Sequence, residues 1–271
     1  MMATRRTSFF VRGIIVLLAG LGLLAVTSLM TADDPWPHPL SASDRAQMRK
    51  QWEEDIAGMS KEIDANPDIG ALVAKRGDLL FFCGEFAKAV RDYERISELN
   101  PALDASHWRL GIAYFYAGQP EKSAAQFDKF FVSDDVDREA GLWRYIAQAP
   151  TLGTDKARDG LHKYTKEDRD PMPAIYRLFE EKFTPDKVLN SIDPKLPKSL
   201  REQRQFYIDL YLGLWHDAHK RPKEALPYLR AATASRWGRT ASYGPNYMWH
   251  VARLHFERLA EQERLAEKKK P

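Results

Sequence analysis

A repeat with a period of 34 residues in the middle of the chain restricts the fold more than any other sequence feature. Four positions recur at this distance: Gly77 as Gly111, Leu80 as Tyr114, Gly84 as Gly118, and Tyr93 as Phe127. A fixed period of about 20–50 residues is typical of architectures in which one supersecondary unit stacks on the next. We therefore predict two stacked units, over about residues 70–103 and 104–137.

Each unit has the pattern of two antiparallel helices, and residues 76–101 form the cleaner copy. Gly77 and Ala89 are small enough to let the two helices approach closely. Leu80 and Tyr93 fill the space between the helices, and Pro101 ends the second helix because proline cannot continue it. This combination resembles the tetratricopeptide signature, which implies a solenoid of helical hairpins.

The later copies of the unit are less complete. The second unit keeps Gly111, Tyr114 and Phe127 but lacks the closing proline. Gly213 lies 102 residues after Gly111, which is three periods, and Ala225 takes the small position on the following helix. We therefore predict a third hairpin over about residues 206–239.

The remaining sequence predicts helices on both sides of the repeats. Apolar residues at helical spacing indicate a capping helix before the first unit: Met48, Trp52, Ile56, Met59 and Ile63. A long helix from residue 247 to about 268 indicates a second cap, while residues 150–198 break the repeat register. Because no segment alternates with the period of a strand, the predicted class is all-α. We expect a tetratricopeptide-like solenoid over residues 44–271 with capping helices at both ends.

The first 32 residues have the pattern of an export signal. Three arginines precede an uncharged apolar run over residues 13–30, which is close to the length of about 20 residues that spans a bilayer. A cleaved signal peptide and a retained membrane anchor therefore both stay open. In either case the arginines stay on the inner side, which predicts a location in the periplasm or cell envelope. Residues 33–43 contain three prolines and predict a linker.

The charge balance gives no indication of a nucleic acid partner. The formal net charge of +3 equals the three arginines of the first 28 residues, which contain no acid. The rest of the chain is formally neutral, so the basic character belongs to the targeting segment. Cys83 is the only cysteine, and an intrachain disulfide is therefore impossible.

His216 and His219 are the best candidates for a metal site or a catalytic centre, since they lie three residues apart with acids nearby. No HExxH, paired-cysteine or loop-aspartate pattern supplies the remaining ligands. No nucleophile elbow or phosphate-binding loop follows the signal segment. We therefore expect a protein without cofactor or catalysis, and keep a metal-dependent or other enzyme that uses these histidines as the alternative.

The candidate surface for a partner is the concave face that the tetratricopeptide resemblance implies. The first helix of each hairpin lines this face in that family, which here places on it Phe81, Trp108, Ile112, Phe115 and Tyr207. The lysines and asparagine that hold a terminal carboxylate in chaperone-binding members are replaced, for example by Ala74 and Asp78. We expect an apolar groove for a helix or an extended peptide. Aromatic residues at this spacing are also typical of a core, and that interpretation stays open.

The order of parts along the chain resembles NlpI-type envelope tetratricopeptide proteins, most clearly at LGIAYFYAG, residues 110–118, and LWRYIA, residues 142–147. Members of that family are adaptors that bring envelope peptidases together. The resemblance implies a non-catalytic scaffold whose partners are other envelope proteins. This chain departs from the family in having no cysteine for lipid attachment after the signal. A self-assembling structural module, that is a homo-oligomer, is a third hypothesis.

Overall fold

The computed structural model describes residues 34–269 of the chain. The chain divides into two compact units, Met1–Pro35 and Trp36–Pro271. The predicted signal peptide or anchor, residues 1–32, lies in the first unit and outside the described residues. The second unit carries all the predicted repeats.

Helices form the framework of the second unit. Between residues 34 and 269 there are thirteen α-helices, one short 3-10 helix and no β-strand, which confirms the all-α class. The α-helices are α1 Ala42–Ala65, α2 Gly70–Phe82, α3 Phe86–Leu99, α4 Trp108–Tyr116, α5 Pro120–Ser133, α6 Arg138–Leu152, α7 Thr154–Asp159, α8 Met172–Phe179, α9 Pro185–Leu189, α10 Lys198–Ala218, α11 Pro222–Ala234, α12 Arg236–Thr240 and α13 Tyr243–Lys268. No helix in this described range is both long and apolar enough to cross a membrane.

Three helical hairpins, α2 with α3, α4 with α5, and α10 with α11, repeat one packing contact. In each hairpin a glycine on the first helix faces a large side chain on the second: Gly77 faces Tyr93, Gly111 faces Phe127 and Gly213 faces Leu229. A Cβ atom built on these glycines would lie 2.7, 2.7 and 2.5 Å from the nearest atom of that side chain. The glycines therefore determine how closely the paired helices approach, at the positions that the 34-residue period predicts.

The turn inside each hairpin places one residue in the left-handed region of the backbone. Gly84 has φ +79° and Gly118 has φ +73°. Lys220 stands four periods after Gly84 and has φ 58°. Glycine adopts this conformation freely, whereas a residue with a Cβ loses roughly 1–2 kcal/mol there. The third turn thus keeps the shape of the other two with a less favourable residue.

The segment between the second and third hairpins contains only short helices after α6. Helix α6 packs on α5, and Tyr145 of α6 is 1% exposed at a position where the first two units have glycine. The helices α7, α8 and α9 have 6, 8 and 5 residues. A side chain of this size does not permit the close helix crossing that glycine allows in the first two units.

The last helix, α13, packs on the third hairpin through α11 and also reaches the first hairpin. Tyr247 stacks on Phe81 with 4.9 Å between the ring centroids and lies edge-on to Trp108 at 5.0 Å. Every residue of α13 from Tyr247 to Phe256 is buried. Burial on every side places this segment in the core, with His250, Arg253 and His255 among its apolar residues. Helix α13 therefore lies against the first helices of two hairpins, on the face that the family resemblance assigns to a partner.

Residues 36–40 of the predicted linker pack on the second unit. The Nε of Arg230 donates to the carbonyl of Pro37 at 2.8 Å, and the His38 ring Nε2 lies 3.1 Å from Glu257 Oε1. Residues 36–40 of the predicted linker are thus held to α11 and α13 by these polar contacts.

Candidate functional site

A cavity of about 290 Å³ lies between α4, α5, α6, α10 and α13. It forms where the starts of α4, α6 and α13 come together. Eight apolar residues make its wall: Trp108, Ile112, Phe127, Phe130, Ala140, Trp143, Pro245 and Met248. Five polar residues make its other end: Asp137, Glu139, Arg169, Gln203 and Tyr207. Gly244, in the first turn of α13, completes the lining.

The apolar wall is held by aromatic packing. Trp143 is 1% exposed and stacks on Phe127 with 6.2 Å between ring centroids. The indole N–H of Trp143 has no acceptor among residues 34–269, so the wall contains one buried donor that the described protein does not satisfy. Trp108 begins α4 beside His107, whose Nδ1 accepts from the backbone N–H of Leu110 at 3.2 Å. This cap fixes where the Trp108 side chain leaves the helix.

The polar end is built around the start of α6. Asp137 is the N-cap, and its Oδ1 accepts from the backbone N–H of Glu139 at 2.9 Å. Asp168, from the loop after α7, accepts from the backbone N–H of Arg138 through Oδ2 at 2.9 Å. The first N–H groups of a helix have no partner within it and carry partial positive charge. Carboxylates are therefore the expected partners at this end.

Glu139 is the buried acid of the cavity, with 15% of its side chain exposed. Its Oε1 accepts from the hydroxyl of Tyr211, and its Oε2 pairs with Nη2 of Arg169. Burial raises the pKa of Glu139 to about 7, and the neighbouring charge of Asp137 adds to this effect. Arg169 opposes the shift. Glu139 is therefore only partly ionised near neutral pH.

Arg169 is shared between carboxylates. Besides Glu139, its Nη1 lies 3.5 Å from Asp137 Oδ1 and 3.2 Å from Asp168 Oδ1. Burial raises the pKa of Asp137. It also raises the pKa of Tyr207 on α10. Asp137 Oδ2 accepts no hydrogen bond from residues 34–269. One acceptor at the cavity is therefore left for a donor from outside the described protein.

The predicted groove residues separate into two groups. Trp108, Ile112 and Tyr207 line the cavity. Phe81 does not, because Tyr247 covers it and its exposed fraction is 0%. Phe115 is half-buried and lies edge-on to Trp143 at 5.9 Å, outside the cavity lining. Helix α13 thus covers Phe81, and of the lining residues Ile112 and Tyr207 are only 1% and 5% exposed, so within the described residues the cavity is where they can be reached.

The two candidate histidines point to different surroundings. His216 stacks on Tyr228 at 5.5 Å, and burial lowers the pKa of its ring to about 4. The Nδ1 of His219 lies 2.7 Å from the carbonyl oxygen of Trp215, four residues earlier on α10. Within residues 34–269 no three His, Cys, Asp or Glu side chains are grouped so that they could hold a metal ion. Both rings pack against Trp215, at 5.0 and 4.2 Å between ring centroids.

Asp78, predicted on the concave face, is a buried junction of four helices. Its Oδ1 accepts from the hydroxyl of Tyr93 at 2.6 Å and from Nη1 of Arg109 at 2.8 Å. Its Oδ2 accepts from the hydroxyl of Tyr243 at 2.7 Å. These bonds join α2, α3, α4 and α13. Asp78 therefore fixes the start of α13, which forms one side of the cavity.

Of the five polar residues of the cavity, only Tyr207 was among the sequence predictions. A signal for two of them exists at the start of a predictable helix, since aspartate is a favoured N-cap, as at Asp137, and acids are enriched in the first turn, as at Glu139. Arg169 and Gln203 carry no such signal, because they lie in or beside the segment without repeat register. No protein-family model matches the sequence, which leaves the geometry of this site as the basis for a functional assignment.

Proposed function

We propose that the chain is a non-catalytic adaptor that binds a segment of another protein in the cavity beside α4, α6 and α13. The observation that carries this proposal is the cavity of about 290 Å³, which has an apolar wall and a few polar groups at one end. Binding sites are typically apolar concavities with a small number of placed polar groups. An engineered cavity of about 150 Å³ holds a benzene molecule, so the space here suits one large side chain with its adjoining backbone.

The intramolecular hydrogen bonds and ion pairs of the polar groups favour a role in binding over a role in catalysis. Asp137 and Asp168 cap α6, and Arg169 joins them to Glu139. These groups are thus already engaged in fixing the shape of the site. A rigid, preformed site of this kind lowers the entropy lost when a partner binds.

We further propose that the partners are proteins of the cell envelope. The arginines and apolar run of residues 1–32 support export, and the NlpI-type order of parts supports an adaptor role, including adaptors of envelope peptidases. Self-association is the competing use of the same cavity. Sedimentation of the full chain in detergent distinguishes them, since an adaptor for other proteins stays monomeric at concentrations where a self-assembling module does not.

A side chain that fills the cavity is the direct test. Beyond its chain neighbours, a Cβ on Gly244 would meet nothing within 4 Å, so Gly244→Leu should place its side chain in open space beside the wall. Because Pro245 follows and disfavours a helical residue with a Cβ before it, the circular dichroism spectrum of Gly244→Leu is first compared with that of the parent. Gly58 on α1 is equally unobstructed and does not line the cavity, which makes Gly58→Leu the matched control. Capture from envelope extracts by the parent and Gly58→Leu proteins is compared with capture by Gly244→Leu.

We expect a specific envelope protein to be captured by the parent and by Gly58→Leu, and at least tenfold less by Gly244→Leu. Trp108→Ala should also reduce capture with the circular dichroism spectrum unchanged. Equal capture by Gly244→Leu and the parent would contradict the proposed site. Unfolding of Trp108→Ala would instead assign Trp108 to the core.

A further inference from the structure

The polar end of the cavity carries charged groups that restrict what can bind there. Two carboxylates, Asp137 and Glu139, line it with a single guanidinium, Arg169. That guanidinium also pairs with Asp168, which is only 3% exposed. Because the pKa of Glu139 is raised to about 7, that carboxyl is only partly ionised near neutral pH, and Arg169 faces the two carboxylates of Asp137 and Asp168 besides it. A second cation brought by a partner would meet an attractive field, and an anion would meet a repulsive one.

The hydrogen-bonding capacity at this polar end favours the same kind of partner. Asp137 is 27% exposed, and its Oδ2 accepts nothing from residues 34–269. An ammonium or guanidinium group carries donors only and would satisfy this oxygen. The apolar wall with Trp108 and Trp143 lies on the other side of the same cavity, so a donor and a large apolar group can be accommodated together.

We propose that the segment bound in the cavity carries a large apolar side chain, aromatic or aliphatic, next to a lysine or arginine. The apolar side chain fills the cavity, and the cationic group lies against Asp137. This inference rests on the proposed adaptor function and adds the chemistry of the partner.

Short capped peptides test this chemistry without a known partner. The probes are acetylated and amidated hexapeptides with tryptophan after lysine, tryptophan after glutamate, and alanine after lysine, so that no terminal charge contributes. Binding to the full chain in detergent is measured by fluorescence anisotropy at two salt concentrations. Asp137→Asn removes the charge while asparagine still serves as an N-cap for α6. Asp64→Asn removes an exposed carboxylate from α1, which does not line the cavity, and is the matched control.

We expect the lysine–tryptophan peptide to bind about five- to tenfold more tightly than the glutamate–tryptophan peptide, the effect of one partly exposed charge pair. This preference should decrease with added salt and fall below about twofold in Asp137→Asn, but persist in Asp64→Asn. The lysine–alanine peptide should lose most of the affinity, as should all peptides with Gly244→Leu.

Equal binding of the lysine and glutamate peptides, or an unchanged preference in Asp137→Asn, would overturn the inference. If no peptide binds while Gly244→Leu still abolishes capture of an envelope protein, the partner chemistry is wrong and the adaptor function stands. If Gly244→Leu leaves capture unchanged, the adaptor function itself fails.

Discussion

The contact between Gly77 and Tyr93 allows the repeat packing to be tested quantitatively. A Cβ on Gly77 would lie 2.7 Å from Tyr93 Cε1 and 3.0 Å from Cδ1, whereas ordinary contacts begin at 3.4 Å. The ring would have to retreat by about 0.7 Å. It is 0% exposed, and its hydroxyl is bound to Asp78 at 2.6 Å and to Tyr247 at 3.3 Å. The ring cannot retreat without straining these bonds or separating α2 from α3.

Overpacking of this kind costs about 1–3 kcal/mol, and the higher helix propensity of alanine returns about 0.5–1 kcal/mol. We therefore expect Gly77→Ala to lower the free energy of unfolding by about 1–2 kcal/mol. Gly58→Ala gains the same propensity with nothing within 4 Å and should raise the free energy of unfolding by about 0.5–1 kcal/mol. Urea denaturation followed by circular dichroism measures both, and the two melting temperatures should differ by several degrees.

Gly111→Ala adds an internal comparison. A Cβ there would lie 2.7 Å from Phe127, but this ring borders the cavity and has space to move into. We expect a smaller loss than for Gly77→Ala. A Gly77→Ala protein as stable as the parent would refute the assignment of this glycine to the helix crossing. A greater loss for Gly111→Ala would contradict the position of the cavity behind Phe127.

Three further changes test the polar contacts. Asp78→Ala leaves the guanidinium of Arg109 without its partner and should destabilise the fold by about 3 kcal/mol in urea denaturation, an effect that should be absent if the pair is only a surface contact. Because the pKa of Glu139 rises on folding from 4.5 to about 7, the folded form binds the proton more tightly, so ionisation weakens the fold as pH increases through this window. Glu139→Gln should therefore gain stability relative to the parent between pH 5 and pH 8, by up to about 3 kcal/mol, and a difference independent of pH would contradict the buried position of the carboxyl. His38→Ala removes a ring that is 8% exposed and its contact with Glu257, which should cost about 1 kcal/mol in the same assay; no loss would mean that residues 36–40 are not held to the domain.

The hairpins could be predicted from sequence because their decisive contacts are local. Gly77 and Tyr93 are 16 residues apart, and the same separation recurs in every hairpin. The period therefore records a packing contact directly. Ser123, which replaces a small alanine, also fits, because its hydroxyl donates to the carbonyl of Gly111 at 2.8 Å. Lys220 could not be predicted, since lysine gives no signal of a left-handed backbone.

The candidate site was only partly predictable because its residues come from five helices and a loop. Ile112 and Tyr207 were found through the repeat register. The position of α13 was not found in this way. A single apolar stripe predicts a capping helix with one face exposed, whereas Trp249 and His250 are also buried, which places the helix inside. Arg169 reaches the cavity from a segment without periodicity, and no sequence pattern relates it to Glu139.

The place of α13 determines which kind of partner the fold can bind. A helix binding to the concave face would have to replace Tyr247, Trp249 and Phe256, each 0–1% exposed. Burying one large apolar side chain contributes about 1.5–3 kcal/mol, so displacement of these three alone costs about 5–9 kcal/mol. That is comparable to the whole binding energy of a micromolar complex. A partner therefore gains more by inserting one side chain at the start of α13 than by competing for its length, and its affinity should reside in a short segment. Peptides of six residues that contain the anchor should retain most of the affinity of longer ones.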